Sequence, residues 1–229
     1  MTSTTAATIP ARPVHPARRW SQLLVGLVLL GGAVVLMITA NVGLDPWTVF
    51  AQGWSRTVGI PIGIMTVLIG IVVLLLWIPL KQRPGIGTLA NILLVGTSMQ
   101  LTILALPAMN GFVTQVIVFL GGMALVALAS GIYIGARLGP GPRDGLMTGM
   151  NSRLGWPVWA CRLTIEATVL LFGWLLGGTV GLGTVLFAAG IGPLVHVALR
   201  LLDVSRRGAA AQVDPGRDPV AAAGAPRVG

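Results

Sequence analysis

Few residues in this chain could do chemistry, and their spacing gives each a context. Arg162 and Glu166 lie four apart in the apolar run 157–176, a spacing that places them on one helix face within reach of each other. Glu166 follows Pro157 by nine residues, which puts it about 13 Å into an apolar core about 30 Å thick. A lone charge at that depth costs at least about 2.5 to 3.5 kcal/mol, so the spacing predicts a buried pair facing the interior. Such a pair either pins its helix to its neighbours or serves a substrate or proton path. Arg143 and Asp144 follow Gly139-Pro140-Gly141-Pro142, where Pro142 suits a helix start and Asp144 its first turn. That reads as a surface helix or as a half-helix whose free N–H groups and Arg143 draw an anionic group to an entrance on the cytoplasmic side. Thr88 and Thr184 close the turns GIGT and GLGT and either cap the following helices or line the same path. His196, about 18 Å into the last apolar run with Arg200 one turn later, is an interface histidine or a proton carrier.

What is missing narrows the chemistry. The sequence has no GxxxxGK[ST], no HExxH, no serine elbow and no cysteine–histidine set, so no enzyme, cofactor or metal site is expected. Gly85 to Ala90 fits GxGxxA but joins two apolar runs rather than a strand to a helix, which removes the dinucleotide reading. The single cysteine, Cys161, allows no disulfide within the chain.

The elements that position these groups belong in a bilayer. Of 229 residues, 55% are hydrophobic and 9% charged, 32 are glycine, and mean hydropathy is +0.88, too little charge to coat a soluble globule. The net charge of +9 sits at the ends of apolar runs, which orients a chain in a membrane and argues against a nucleic-acid partner. Trp20, Trp77, Trp156, Trp159 and Trp174 fall at predicted helix ends, where an indole suits the headgroup level.

The chain is also duplicated. At an offset of 96 without a gap, Gly43, Pro46, Gly53, Gly59 and Pro61 fall on Gly139, Pro142, Gly149, Gly155 and Pro157. Further on, Gly85, Gly87, Thr88 and Gly96 fall on Gly181, Gly183, Thr184 and Gly192. Gly and Pro set turns and helix ends, so matching them matches architecture. Six runs are long enough to cross, near 20–41, 61–80, 86–106, 113–136, 157–176 and 183–202, since a crossing needs roughly 20 residues. Each unit adds a shorter segment, 46–57 and 142–153, reaching only about 18 Å. With six crossings and cytoplasmic termini, Lys81, Arg83, Arg137, Arg143, Arg153, Arg200, Arg206 and Arg207 all face the cytoplasm, as the positive-inside rule prefers. Three crossings per unit turn the second unit upside down relative to the first.

The motif GPGPRDGLM at 139–147, Arg162 and Glu166 in the next run, GGTVGLGT at 177–184 and IGP at 191–193 resemble the YczE-like, YitT-related bacterial integral membrane proteins. GLDPW at 43–47 stands at the family's GLGPWD-like turn, with Asp45 before Pro46 and Thr48 where an acid is expected. The resemblance covers roughly 20–203 and implies a polytopic membrane protein without naming a reaction.

The expectation is an all-α membrane protein of six transmembrane helices in two inverted three-helix repeats, 20–107 and 108–203, each with an interfacial or re-entrant segment. Disordered cytoplasmic tails, 1–19 and 204–229, flank them, and the cell membrane is the location. The function read is a secondary transporter or permease for a small anionic or zwitterionic solute, or else a non-catalytic scaffold. The partners are the lipid bilayer and that solute, and a homo-oligomer is compatible with the sequence.

Overall fold

The structure is a computed structural model that describes residues 16–107 and 109–202. These form eight helices: α1 (Pro16–Ala40), α2 (Pro46–Val58), α3 (Ile62–Leu76), α4 (Ile86–Ala105), α5 (Phe112–Gly135), α6 (Pro142–Leu154), α7 (Val158–Leu175) and α8 (Leu182–Leu201). The described residues contain no strand. The expected tail 204–229 and residues 1–15 lie outside the described residues. Residues 16–19, placed in the first tail from sequence, are instead the opening turn of α1, because proline is tolerated where a helix has no N–H bond to make. Arg19 then reaches across and donates to the carbonyls of Ala136 at 2.9 Å and Arg137 at 2.7 Å, satisfying groups at the end of α5 that have no partner within their own helix.

Five helices are long and apolar enough to cross a bilayer, and α2 with α3, bent by 113°, makes a sixth. The run 61–80 therefore yields a shorter helix than its length predicts. Pro79 has no N–H for the next helical bond and pushes Ile78 out of the helical region. The chain turns through residues 77–81 instead. Large apolar side chains such as Leu104, Leu175 and Leu201 cover the outer surface, each at least 68% exposed, as suits a lipid solvent.

The duplication is written into the backbone. All four helices of the first unit begin 96 residues before their counterparts in the second. The left-handed residues pair at the same offset: Asn41 with Arg137, Gly43 with Gly139, Gly59 with Gly155, and Lys81 with Gly177. At the centre α1 and α5 run antiparallel, with Gly26 on Tyr133 and Gly122 on Met37. The units also clasp each other's turns. Gly183 donates to Val42 at 2.8 Å and Gly87 to Leu138 at 2.9 Å, so each contact has a partner in which the units exchange roles. Gly43 and Gly139 take φ of +128° and +132°, backbone that glycine reaches freely, and they press against the start of the other unit's last helix.

Each short helix ends on a left-handed glycine, Gly59 or Gly155, that stops it after thirteen residues. α2 lies along α7 with backbone nearly touching backbone: a Cβ on Gly173 would fall 2.5 Å from the Phe50 Cα. α6 leans on α3, where Gly145 leaves room for the Trp77 ring. Trp77 is 1% exposed, and its Nε1–H donates to the Pro142 carbonyl at 3.1 Å, so the expectation of a headgroup-level indole is corrected there. Trp20, Trp156, Trp159 and Trp174 are exposed.

Candidate functional site

All eight helices contribute to one cavity of about 360 Å³ between the two units. Its lining follows the 96-residue offset: Asp45 pairs with Gly141, Trp47 with Arg143, Thr48 with Asp144, Thr66 with Arg162, and Gly70 with Glu166, and every one of these positions faces the space. The second unit carries the charge and the first, apart from Asp45, neutral side chains. Both short helices begin at this cavity, through Asp45-Pro46 and Gly141-Pro142, so two helix N-termini present their positive ends to it.

Arg162 Nε donates to Glu166 Oε1 at 2.9 Å, joining two residues that the four-residue spacing brings together. Their burial is corrected, since the side chains remain 50% and 34% exposed. On α7 the buried positions are Cys161, Ile165 and Gly173, and the next residue in a helix is turned by about 100°. Arg162 and Glu166 line the cavity half-exposed, beside those buried positions.

Arg143 makes a bond that spacing along one helix does not reveal. Its Nη1 donates to Asp45 Oδ1 at 3.3 Å, with Asp45 5% exposed and Arg143 48%. The guanidinium also sits over the Trp47 ring, 5.1 Å from the centroid, an arrangement favoured by the ring quadrupole. Asp45 Oδ1 also accepts from the Thr48 amide at 3.3 Å, capping α2. One carboxylate therefore holds the starts of both short helices together. The sequence carried a signal for it, an Asp immediately before a helix-starting proline, but its cationic partner lies 98 residues away in the other unit.

Asp144 faces the same cavity beside Arg143. Its Oδ2, the Tyr133 hydroxyl and the Asn91 amide nitrogen converge on Gly141, all within 4.0 Å of where a Cβ would stand. Tyr133 and Asn91 complete this polar corner from α5 and α4. A second cavity of about 410 Å³ opens against Arg137, Gly139 and Pro140 and shares Tyr133, Ile134, Gly141 and Asp144 with the first.

The remaining candidates lie elsewhere. Thr88 and Thr184 are outside the lining. Thr88 Oγ1 accepts from Gly85 at 3.2 Å and donates to the Pro140 carbonyl at 2.7 Å. Thr184 Oγ1 accepts from Leu44 at 3.2 Å and Gly181 at 3.3 Å. Both therefore cap a helix and tie it to the other unit's turn. His196 is exposed on α8 and outside the lining. No cluster of three potential metal ligands occurs among the described residues.

A helical bundle with an apolar outer surface and a charged cavity between duplicated units defines a multi-pass all-α membrane protein. The chain belongs to the family described as "Family of unknown function (DUF6198)", which matches residues 17–200. It is YczE-like: it is 33% identical over 205 residues to the Bacillus subtilis protein named Uncharacterized membrane protein YczE, covering 86% of this chain and 95% of that one. It is 39% identical over 182 residues to a Haemophilus influenzae protein named Uncharacterized protein, covering 80% and 84%. A second B. subtilis protein, Uncharacterized protein YyaS, is 23% identical over 183 residues, 78% and 91% of the two chains. No solved structure matches the chain.

Proposed function

We propose that the protein is a secondary transporter or permease of the cell membrane for a small anionic or zwitterionic solute, and not an enzyme. One observation carries the reading: two half-helix N-termini and two half-exposed arginines, Arg143 and Arg162, open onto one cavity at the junction of the duplicated units. Broken helices that meet at a repeat interface are how many transporters hold a charged solute. In this reading the units are inverted in the membrane with both termini cytoplasmic, supported by the antiparallel pair α1 and α5. The solute's anionic group takes the side of Arg143 and Arg162, and the rest of it lies toward Thr66 and Gly70.

A scaffold reading has its own support. Both ion pairs are satisfied within the chain, and no buried side-chain polar atom lacks a partner among the described residues. Thermal unfolding of the purified protein across a library of carboxylates, phosphates, amino acids and neutral sugars separates the two. A ligand at a hundred times its Kd stabilises by about 2.7 kcal/mol. The transporter reading expects a charged solute to raise the melting temperature in wild type and not in Arg162→Met/Glu166→Gln. Uniform silence across the library favours the scaffold.

A further inference from the structure

We propose that Asp144, with the Tyr133 hydroxyl beside it, is a proton-binding site, and that the proton is the ion coupled to solute movement; the second half of this rests on the transporter reading above. Three carboxylates and two guanidiniums face the central cavity. Asp45 is bonded to Arg143 and Glu166 to Arg162. Asp144 is the acid left over, with no cationic atom within salt-bridge distance among the described residues. If all five groups are ionised, the cavity carries one excess negative charge, and it resides on the acid without an ion-pair partner. A half-buried charge without a paired cation is costly, and a carboxylate in that position relieves the cost by taking up a proton.

The surroundings suit both states. The Tyr133 hydroxyl can donate to a carboxylate or accept from a carboxylic acid, so it serves Asp144 before and after protonation. Asn91 offers a further amide from α4. Around Asp144 the charged groups are Arg143 on its own helix and Arg162 on α7, with Asp45 and Glu166 behind them in the ion pairs already described and Arg137, just past α5, on the second cavity that Asp144 also lines. The cavity residues of α1 and α8 are apolar or glycine, and α3 contributes only Thr66 as a polar side chain. Changes in charge at Asp144 are thus felt chiefly by the two arginines proposed to hold the solute.

Location provides the route. Asp144 and Tyr133 line both the central cavity and the second cavity beside Arg137, Gly139 and Pro140. They form part of the partition between the two spaces. A proton can reach the carboxylate from water in the second cavity and affect solute held in the first, without passing through the solute's own space. Neutral Asp144 leaves Arg143 and Arg162 with one fewer competing anion, so proton uptake favours binding of an anionic group.

Infrared difference spectroscopy of the full-length protein in lipid, titrated from mildly acidic to alkaline pH, reads the proton directly. Wild type should show a carboxylic-acid C=O band that disappears as the pH rises. Asp144→Asn should lack the band and Asp144→Glu should keep one, whereas Asp45→Asn and Glu166→Gln, each of which frees an arginine near Asp144, should make it disappear at lower pH. Tyr133→Phe should move its frequency, because the hydroxyl that stands beside the acid is lost. A band retained in Asp144→Asn, or absent from wild type that is shown to be folded by its melting curve, overturns the proposal. The spectrum contains no solute, so failure of the transporter reading leaves the band in place, and failure of the proton site leaves solute stabilisation in place.

Discussion

The bridge between Arg143 and Asp45 makes an asymmetric prediction. Asp45 is 5% exposed and accepts from Arg143 and from the Thr48 amide, both at 3.3 Å, whereas Arg143 is 48% exposed. Arg143→Met leaves a buried carboxylate with only the cap bond. Breaking a fully buried pair costs about 3 to 5 kcal/mol. With one partner half in water, roughly half of that range is retained, and loss of the Trp47 contact adds about 0.5 to 1 kcal/mol. The expected destabilisation is therefore about 2 to 3.5 kcal/mol. Asp45→Asn keeps an oxygen for the Thr48 amide, since Asn and Asp cap about equally well, and leaves behind a cation that water can reach. Its cost should be that of a partly exposed pair, about 0.2 to 1 kcal/mol. The double variant removes both charges and should recover to within about 1 kcal/mol of wild type. Thermal unfolding in detergent, followed by tryptophan fluorescence, measures all four proteins. Equal losses in the single variants, or a double variant no better than Arg143→Met, would show that the carboxylate is not stranded and refute the reasoning.

Three further outcomes follow from the same geometry. Gly173→Ala drives a methyl to 2.5 Å from the Phe50 backbone, which cannot swing aside, and should cost about 1 to 3 kcal/mol. Gly121→Ala, with nothing within 4 Å, should be neutral or stabilising by up to about 1 kcal/mol; a reversed order in unfolding experiments removes the α2–α7 contact. Arg162→Ala and Glu166→Ala each break a pair that is 50% and 34% exposed, so each should lower stability by only about 0.2 to 1 kcal/mol, and a loss of expression in either would mean the pair is enclosed. For topology, Arg56 donates to Thr179 at 3.3 Å and Gln82 to Ser152 at 3.4 Å, which places each couple at one end of the bundle. In a Cys161→Ser background, cysteines replacing Arg56 or Thr179 should label from outside and those replacing Arg83 or Asn151 should not; external labelling at Arg83 contradicts cytoplasmic termini.

The parts of this fold legible in the sequence are those where the backbone leaves one residue type little competition. Pro46 and Pro142 open the short helices and left-handed Gly59 and Gly155 close them, so the expected segments 46–57 and 142–153 match the helices to within a residue. The pairing of Arg162 with Glu166 was legible for a related reason, since four residues along one helix fix two side chains side by side whatever surrounds them. How far that pair is buried was not, because burial depends on the direction in which α7 presents it, and that is set by the backbone contact of Gly173 with Phe50 in the other unit. Trp77 was misplaced for the same kind of reason: a tryptophan at a helix end is ordinarily interfacial, and only the absence of a side chain at Gly145, on α6, draws it inward.

Asp45 shows what a sequence reading could have recovered with one more step. Its ion-pair partner Arg143 occupies the place of Trp47 in the second unit, and the acid itself occupies the place of Gly141. Laying the units over each other locates the glycines that turn the chain, yet the same overlay locates the cavity. Most positions lining it from one unit have a counterpart lining it from the other, as Thr66 with Arg162 and Gly70 with Glu166 do, though Tyr133 and Val73 do not. The informative comparison is then the mismatch. Where the two units agree, as at Thr88 and Thr184, the residue caps a helix and clasps the opposite turn. Four places where they differ in charge, Trp47 against Arg143, Thr48 against Asp144, Thr66 against Arg162 and Gly70 against Glu166, line the cavity, while others such as Arg56 against Ser152 and Lys81 against Gly177 lie outside its lining; in the transporter reading proposed above, the first set is the unlikeness that a solute with unlike ends requires.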